Sequence, residues 1–213
     1  MSSSQVIKRA SASGPTKRAS TAASAPKPPL SSSSRAIIAG HASLSGMNRI
    51  SLGPYTVLHP YSRISSNVAP VTLNEGCVIW EKATIGISDN SIRYSEDKSE
   101  KETQRGTTLN RHVVVESLAV VEAKEIGEGT IIESGAKVGI GCVLGKYCTV
   151  SPGTIVPPFT VLPDFTVVFG FAQTRTNTTL QDREDIMKLK VQAHEKLLES
   201  LAILIPNNLA KWQ

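Results

Sequence analysis

The sequence predicts an all-β solenoid, a left-handed parallel β-helix of about six coils followed by a C-terminal α-helix. Three observations predict it. Aliphatic residues recur every six positions, small residues recur four places after them, and aromatic residues make up only 5% of the chain. A core built from Val, Ile and Leu suits narrow β-structure better than a sandwich with large anchors.

The repeat is plainest from residue 126. Ile126, Ile132, Val138, Leu144, Val150, Val156, Leu162 and Val168 follow one another at the six-residue spacing. Thr130, Ala136, Cys142, Cys148, Thr154, Thr160 and Thr166 fill the small fifth slot, and Gly127, Gly139 and Gly145 the second. Six residues make one short strand and a corner, and three such units close a coil of about 18 residues. The aliphatic residue points inward and stacks on its equivalents, so these eight residues are the expected structural core. Glycine suits the sharp turns.

The same pattern runs earlier in shifted phases: Leu109, Val115, Val121; Leu73, Ile79, Ile85; Leu52, Leu58, Ile64; and Ile38, Leu44, Ile50. The slips fall between 50 and 52, near 65–72, and between 121 and 126. A solenoid absorbs them as bulges or loops at its corners. Residues 36–173 are thus the expected β-helix, with a polar loop over 86–108.

Residues 1–35 hold six Lys or Arg and no acid, so the net charge of +5 leaves the rest of the chain at −1. The basic character belongs to a Ser/Ala/Pro-rich tail expected to be disordered, and a nucleic-acid-binding domain is not indicated. Lys-Arg-Ala-Ser occurs twice in it, which makes Ser11 and Ser20 candidate phosphorylation sites. Residues 174–213 read as a polar connector and a helix. Over 180–204 Ile186, Leu189, Ala193, Leu197, Leu201 and Leu204 share one face, and Pro206 stops it.

No apolar run approaches the ~20 residues of a membrane helix, and no secretory leader is evident. Three cysteines, all in the small slot, suggest buried side chains in a reduced intracellular protein.

Zinc lyases and acyltransferases share this repeat, and both chemistries depend on histidines. A zinc site needs three converging nitrogens. His41 and His59 fall in different slots of the repeat, and no pair of histidines five apart is present. The sequence therefore assigns no catalytic, cofactor-binding or metal residues and no cofactor. Trp80, read as exposed, is a candidate partner contact. So are Ile38 and Leu44, since the first coil has no covering helix beside it in the sequence and the end of a solenoid exposes its anchors.

Two stretches carry a resemblance. Leu-Gly-Pro-Tyr-Thr-Val-Leu-His-Pro-Tyr-Ser-Arg (52–63) and Val-Thr-Leu-Asn-Glu-Gly-Cys-Val-Ile-Trp-Glu-Lys-Ala (71–83) resemble the early coils of the dynactin subunit 6 family. The ending Ile-Leu-Ile-Pro-Asn-Asn-Leu (203–209) resembles that family's C-terminal segment. The resemblance spans roughly 36–212. It implies a non-catalytic adaptor in the pointed-end complex of dynactin, cytoplasmic and cytoskeleton-associated, serving dynein-driven transport on microtubules and cargo recruitment. It also implies subunit 5 as β-helix partner, with subunit 4 and an actin-related protein as neighbours. A carbonic anhydrase-like zinc protein and a hexapeptide acyltransferase remain the alternatives.

Overall fold

The computed structural model describes residues 27–88 and 106–212. Ser11 and Ser20, and most of the polar loop, lie outside the described residues. The rest is a left-handed parallel β-helix with a C-terminal helix.

Three sheets form its walls. Wall A stacks β1 (Leu30–Ser32), β4 (Ile50–Leu52), β7 (Val71–Leu73), β10 (Thr107–Leu109), β13 (Glu125–Ile126), β16 (Val143–Leu144) and β19 (Val161–Leu162). Wall B stacks β2 (Ile37–Ile38), β5 (Val57–Leu58), β8 (Val78–Ile79), β11 (Val114–Val115), β14 (Ile131–Ile132), β17 (Thr149–Val150) and β20 (Thr166–Phe169). Wall C stacks β3 (Ser43–Gly46), β6 (Arg63–Ser66), β9 (Thr84–Ile85), β12 (Val120–Val121), β15 (Lys137–Val138) and β18 (Ile155–Val156). In the regular part the register is 18 residues, pairing Ile132 with Val150 and Val138 with Val156. The eight anchors from Ile126 to Val168 are all buried, none more than 6% exposed.

The phase slips share one physical cause. Residues 47–49, 67–70, 86–106 and 122–124 all join a wall C strand to the next wall A strand, so every irregularity leaves from the same corner. Ile50 and Leu52 both face inward on one three-residue strand, as do Val71 and Leu73. The repeat stays in phase on the two other corners because nothing is inserted there.

The solenoid opens earlier than residue 36, because β1 pairs in parallel with β4. At the far end wall B is extended by an antiparallel strand, β21 (Gln173–Thr176), where the sequence suggested only a connector. The last coil is blunted by proline. In inner coils the residue after the anchor donates to the next coil, as Gly139 does to Val156 and Gly145 to Leu162. In the last coil Pro157 and Pro163 hold that position and have no N–H to leave unpaired.

Helix α1 (Thr178–Asp182) is capped by Asn177, whose side chain accepts from the Leu180 amide at 3.2 Å. An extended Arg183 separates it from α2 (Glu184–Leu204), where Glu184 and Asp185 sit at the favourable end of the helix dipole. Helix α2 lies on wall B, and the reason is in the outward-facing residues. Wall B presents Ile37, Val57, Val78, Val114 and Ile131 in register. Wall A presents Ser51, Thr72, Thr108 and Glu125 instead. Leu198 and Leu201 bury against Ile37, Val57 and Val78, and such side chains contribute about 1.5–3 kcal/mol each. The buried face is not quite the expected one. Leu189 and Leu204 are 62% and 73% exposed, while Val191, His194 and Leu198 turn inward.

The chain after α2 crosses the first coil. The Asn208 amide donates to the Ile38 carbonyl at 2.8 Å. The Asn207 side chain accepts from Ile38 N at 3.1 Å and donates to the Ala36 carbonyl at 2.9 Å, standing in for a missing strand. Leu209 buries in the main core, and Trp212 and Leu30 pack against it. The open end expected at Ile38 and Leu44 is therefore corrected. These residues are 0% and 4% exposed, and the C-terminal segment returns to bond the backbone around Ile38.

Candidate functional site

The candidate site is a cleft between wall B and the first half of α2. The second half of the helix sits tightly on the early coils, but farther down Val114 and Ile131 are only half covered. The cleft measures about 310 Å³, at the lower end of the usual range for small-molecule sites. Trp80, Val114, Ile131, Val191 and Leu197 give it apolar walls, and His112, Glu116, Tyr147, Lys190 and His194 its polar groups.

The corner between walls A and B places the aromatic side chains. His112 and Tyr147 both adopt left-handed backbone, with φ of 57° and 52°, at a cost of about 1–2 kcal/mol each. Each ring stands over a glycine of the preceding coil. A Cβ on Gly76 would lie 2.5 Å from the His112 ring, and one on Gly129 would lie 2.4 Å from the Tyr147 ring. The alternation of glycine and aromatic along this corner is what opens room for the cleft.

The rings of His112 and His194 lie 5.0 Å apart at a tilt of 44°. His194 Nε2 lies 2.8 Å from the Gly76 carbonyl and donates to it, which leaves Nδ1 with the lone pair. Burial is the main cause that lowers the His194 pKa, with the neighbouring His112 adding to it, so this imidazole is held neutral. Burial also lowers the pKa of the half-buried Lys190. Its Nζ stands 5.9 Å from the centre of the Tyr147 ring. Burial and the charge of Glu128 push the Tyr147 hydroxyl up. Glu116 is engaged by Ser134, accepting from its amide at 3.0 Å and its hydroxyl at 2.8 Å.

Trp80, expected on an open surface, is partly buried between α2 and wall B and stacks on His59, centroid to centroid 4.2 Å. His59 Nδ1 meets Glu81 Oε1 at 3.1 Å, and Ser117 donates to the other oxygen at 3.3 Å. His41 is elsewhere, stacked on Tyr61. Among the described residues no three His, Cys, Asp or Glu side chains are grouped so as to hold a metal ion. The three cysteines are buried and unpaired, and burial pushes the Cys77 thiol up to about 12. No helix among the described residues is long and apolar enough to cross a membrane.

The sequence did not reveal this site. Its one legible signal was the residue before each wall B anchor, apolar in Ile37, Val57, Val78, Val114 and Ile131, which marks the wall that a helix must cover.

Fold and corners define a hexapeptide-repeat β-helix protein. No family model matches the chain, and no curated protein matches it by sequence. Among solved structures it is similar to a hexapeptide transferase family protein from Anaplasma phagocytophilum, with 15% identity and a TM-score of 0.57, over 83% of this chain and 95% of that one. It is also similar to a protein described as a candidate acetyltransferase from Bacillus cereus, with 16% identity and a TM-score of 0.45, over 82% and 92%. At these identities the likeness is one of fold.

The expectation that the chain is not an enzyme is corrected: the fold is one that it shares with a hexapeptide transferase family protein, so the architecture gives that expectation no support. Acyl transfer with a histidine base requires no metal ligand, so the lack of a paired-histidine motif does not bear on it.

Proposed function

We propose that the chain is a subunit of a larger assembly, of the kind formed by the dynactin pointed-end complex. The carrying observation is that the separate segments of the family resemblance form one structural unit. The ending 203–209 closes the coils that begin the resembling stretch, through Asn207 on Ile38 and Ala36 and through Leu209 in the core. Its partners would be subunit 5, subunit 4 and the actin-related protein, and its setting the cytoskeleton of the cytoplasm, in support of dynein-driven transport. With the first coil capped by the C-terminal segment, partner contact falls to surfaces such as the exposed Ile155, Phe159 and Val161 at the last coils. The test is affinity purification of the tagged chain from native extract. Pointed-end subunits in near-equal amounts are expected, and their absence would overturn the reading.

A second reading is acyl transfer, which the solved-structure comparison favours over the first. In the cleft no described protein group takes a hydrogen bond from, or gives one to, the ring nitrogens of His112, so this imidazole could take a proton from an attacking hydroxyl or amine. A bound acyl thioester would supply the activated acyl group. Calorimetric titration with acetyl-coenzyme A tests it. Saturable binding lost in His112→Ala supports transfer, and no binding removes it.

A further inference from the structure

We propose that the cleft between α2 and wall B binds a small anionic amphiphile, an aliphatic acid whose chain lies on the apolar wall and whose acidic head meets Lys190. The inference is independent of both readings above.

The first observation is the unmatched charge. Lys190 is half-buried, yet no carboxylate among the described residues lies within ion-pair distance of it, and its Nζ stands 5.9 Å from the centre of the Tyr147 ring. A partly dehydrated ammonium is costly unless paired. His112 stands on the same side, and its imidazole can donate a hydrogen bond to an anion. The single acid lining the cleft, Glu116, is already held by Ser134. The polar rim thus offers donors and one unpaired cation, and its complement is an acidic head.

The second observation is the wall. Val114, Ile131, Val191, Leu197 and Trp80 form a continuous apolar lining that α2 leaves half covered, although the same helix covers Ile37, Val57 and Val78 closely. An aliphatic chain would complete that packing, and each buried methylene contributes about 0.8 kcal/mol. Apolar lining beside a few converging polar groups is the usual form of a small-molecule site.

The probe is monomeric decanoate, followed by fluorescence of Trp80 in a Trp212→Phe background, which leaves one of the chain's two tryptophans. A saturable change is expected, at least tenfold weaker with the uncharged decanol. Lys190→Ala should weaken decanoate at least tenfold and Lys190→Arg should restore it, a readout that a purely structural role for Lys190 would not give. Ile131→Trp, which fills the cleft, should abolish binding without lowering Tm, and it keeps the test decisive if Lys190→Ala unfolds. Decanol binding as tightly as decanoate, or unchanged binding in both Lys190→Ala and Ile131→Trp, would overturn the proposal. So would binding confined to phosphatidylglycerol vesicles with none to monomeric decanoate.

Discussion

Asn207→Leu should destabilise the protein far more than its position near the chain terminus suggests. Its side chain makes three hydrogen bonds: from Ile38 N at 3.1 Å, from Leu209 N at 3.0 Å, and to the Ala36 carbonyl at 2.9 Å. Ile38 and Ala36 are both 0% exposed. The substitution leaves three backbone groups without these partners, of which the Ile38 N–H and the Ala36 carbonyl are the most deeply buried, at about 1–3 kcal/mol for each buried group. Local water entry at the end of the solenoid relieves part of that, so we expect a loss of about 2–4 kcal/mol. That is a large share of a stability of about 5–15 kcal/mol. Urea unfolding followed by circular dichroism reads it as a lower midpoint with an unchanged slope. Asn208→Ala is the control. Its side chain reaches only the exposed Pro206 carbonyl at 3.3 Å, and its backbone bond to Ile38 survives the substitution, so a change within about 0.5 kcal/mol is expected. Equal midpoints for the two variants would refute the idea that Asn207 substitutes for a strand.

Val138→Asp buries an unpaired carboxylate mid-stack at a site 1% exposed, and should give insoluble or unfolded protein in expression and melting assays. Truncation through residue 35 should lower Tm relative to truncation through residue 26, because only the former removes β1 and the packing of Leu30 on the core. Cys77, with its pKa pushed up to about 12, should resist iodoacetamide at pH 8 until urea unfolds the chain, since the thiolate is the nucleophile. His194 has a folded pKa below its ordinary value, so the unfolded chain binds the extra proton and stability falls as pH drops through about 6.5. His194→Gln should flatten the loss of Tm between pH 7.5 and 5.5.

Much of the fold could be read from the sequence because the hexapeptide ties each residue to one place on the coil. From Ile126 onward the anchor positions give the strands, the register and the burial together. The slips were visible as slips, but their common corner was not, since that follows only when the three walls are told apart. The capped first coil was hidden for a different reason. Asn207 and Leu209 act across more than 160 residues of sequence, and polar capping by an asparagine has no periodicity to betray it. The rotation of α2 was hidden too. Leu189 and Leu204 fit a helical stripe as well as Val191 and Leu198 do, and only the apolar residues on wall B decide which stripe is covered. The cleft is a consequence of that docking, so its His112, Lys190 and His194 come together from segments with no shared motif.

The most direct test of the assembly reading is native mass spectrometry of the chain co-expressed with dynactin subunit 5. A chain of 22.8 kDa is predicted to appear in a one-to-one complex whose Tm exceeds that of the lone protein, because binding stabilises the folded state by mass action. A homotrimer at three times the single-chain mass, unaffected by subunit 5, would contradict it.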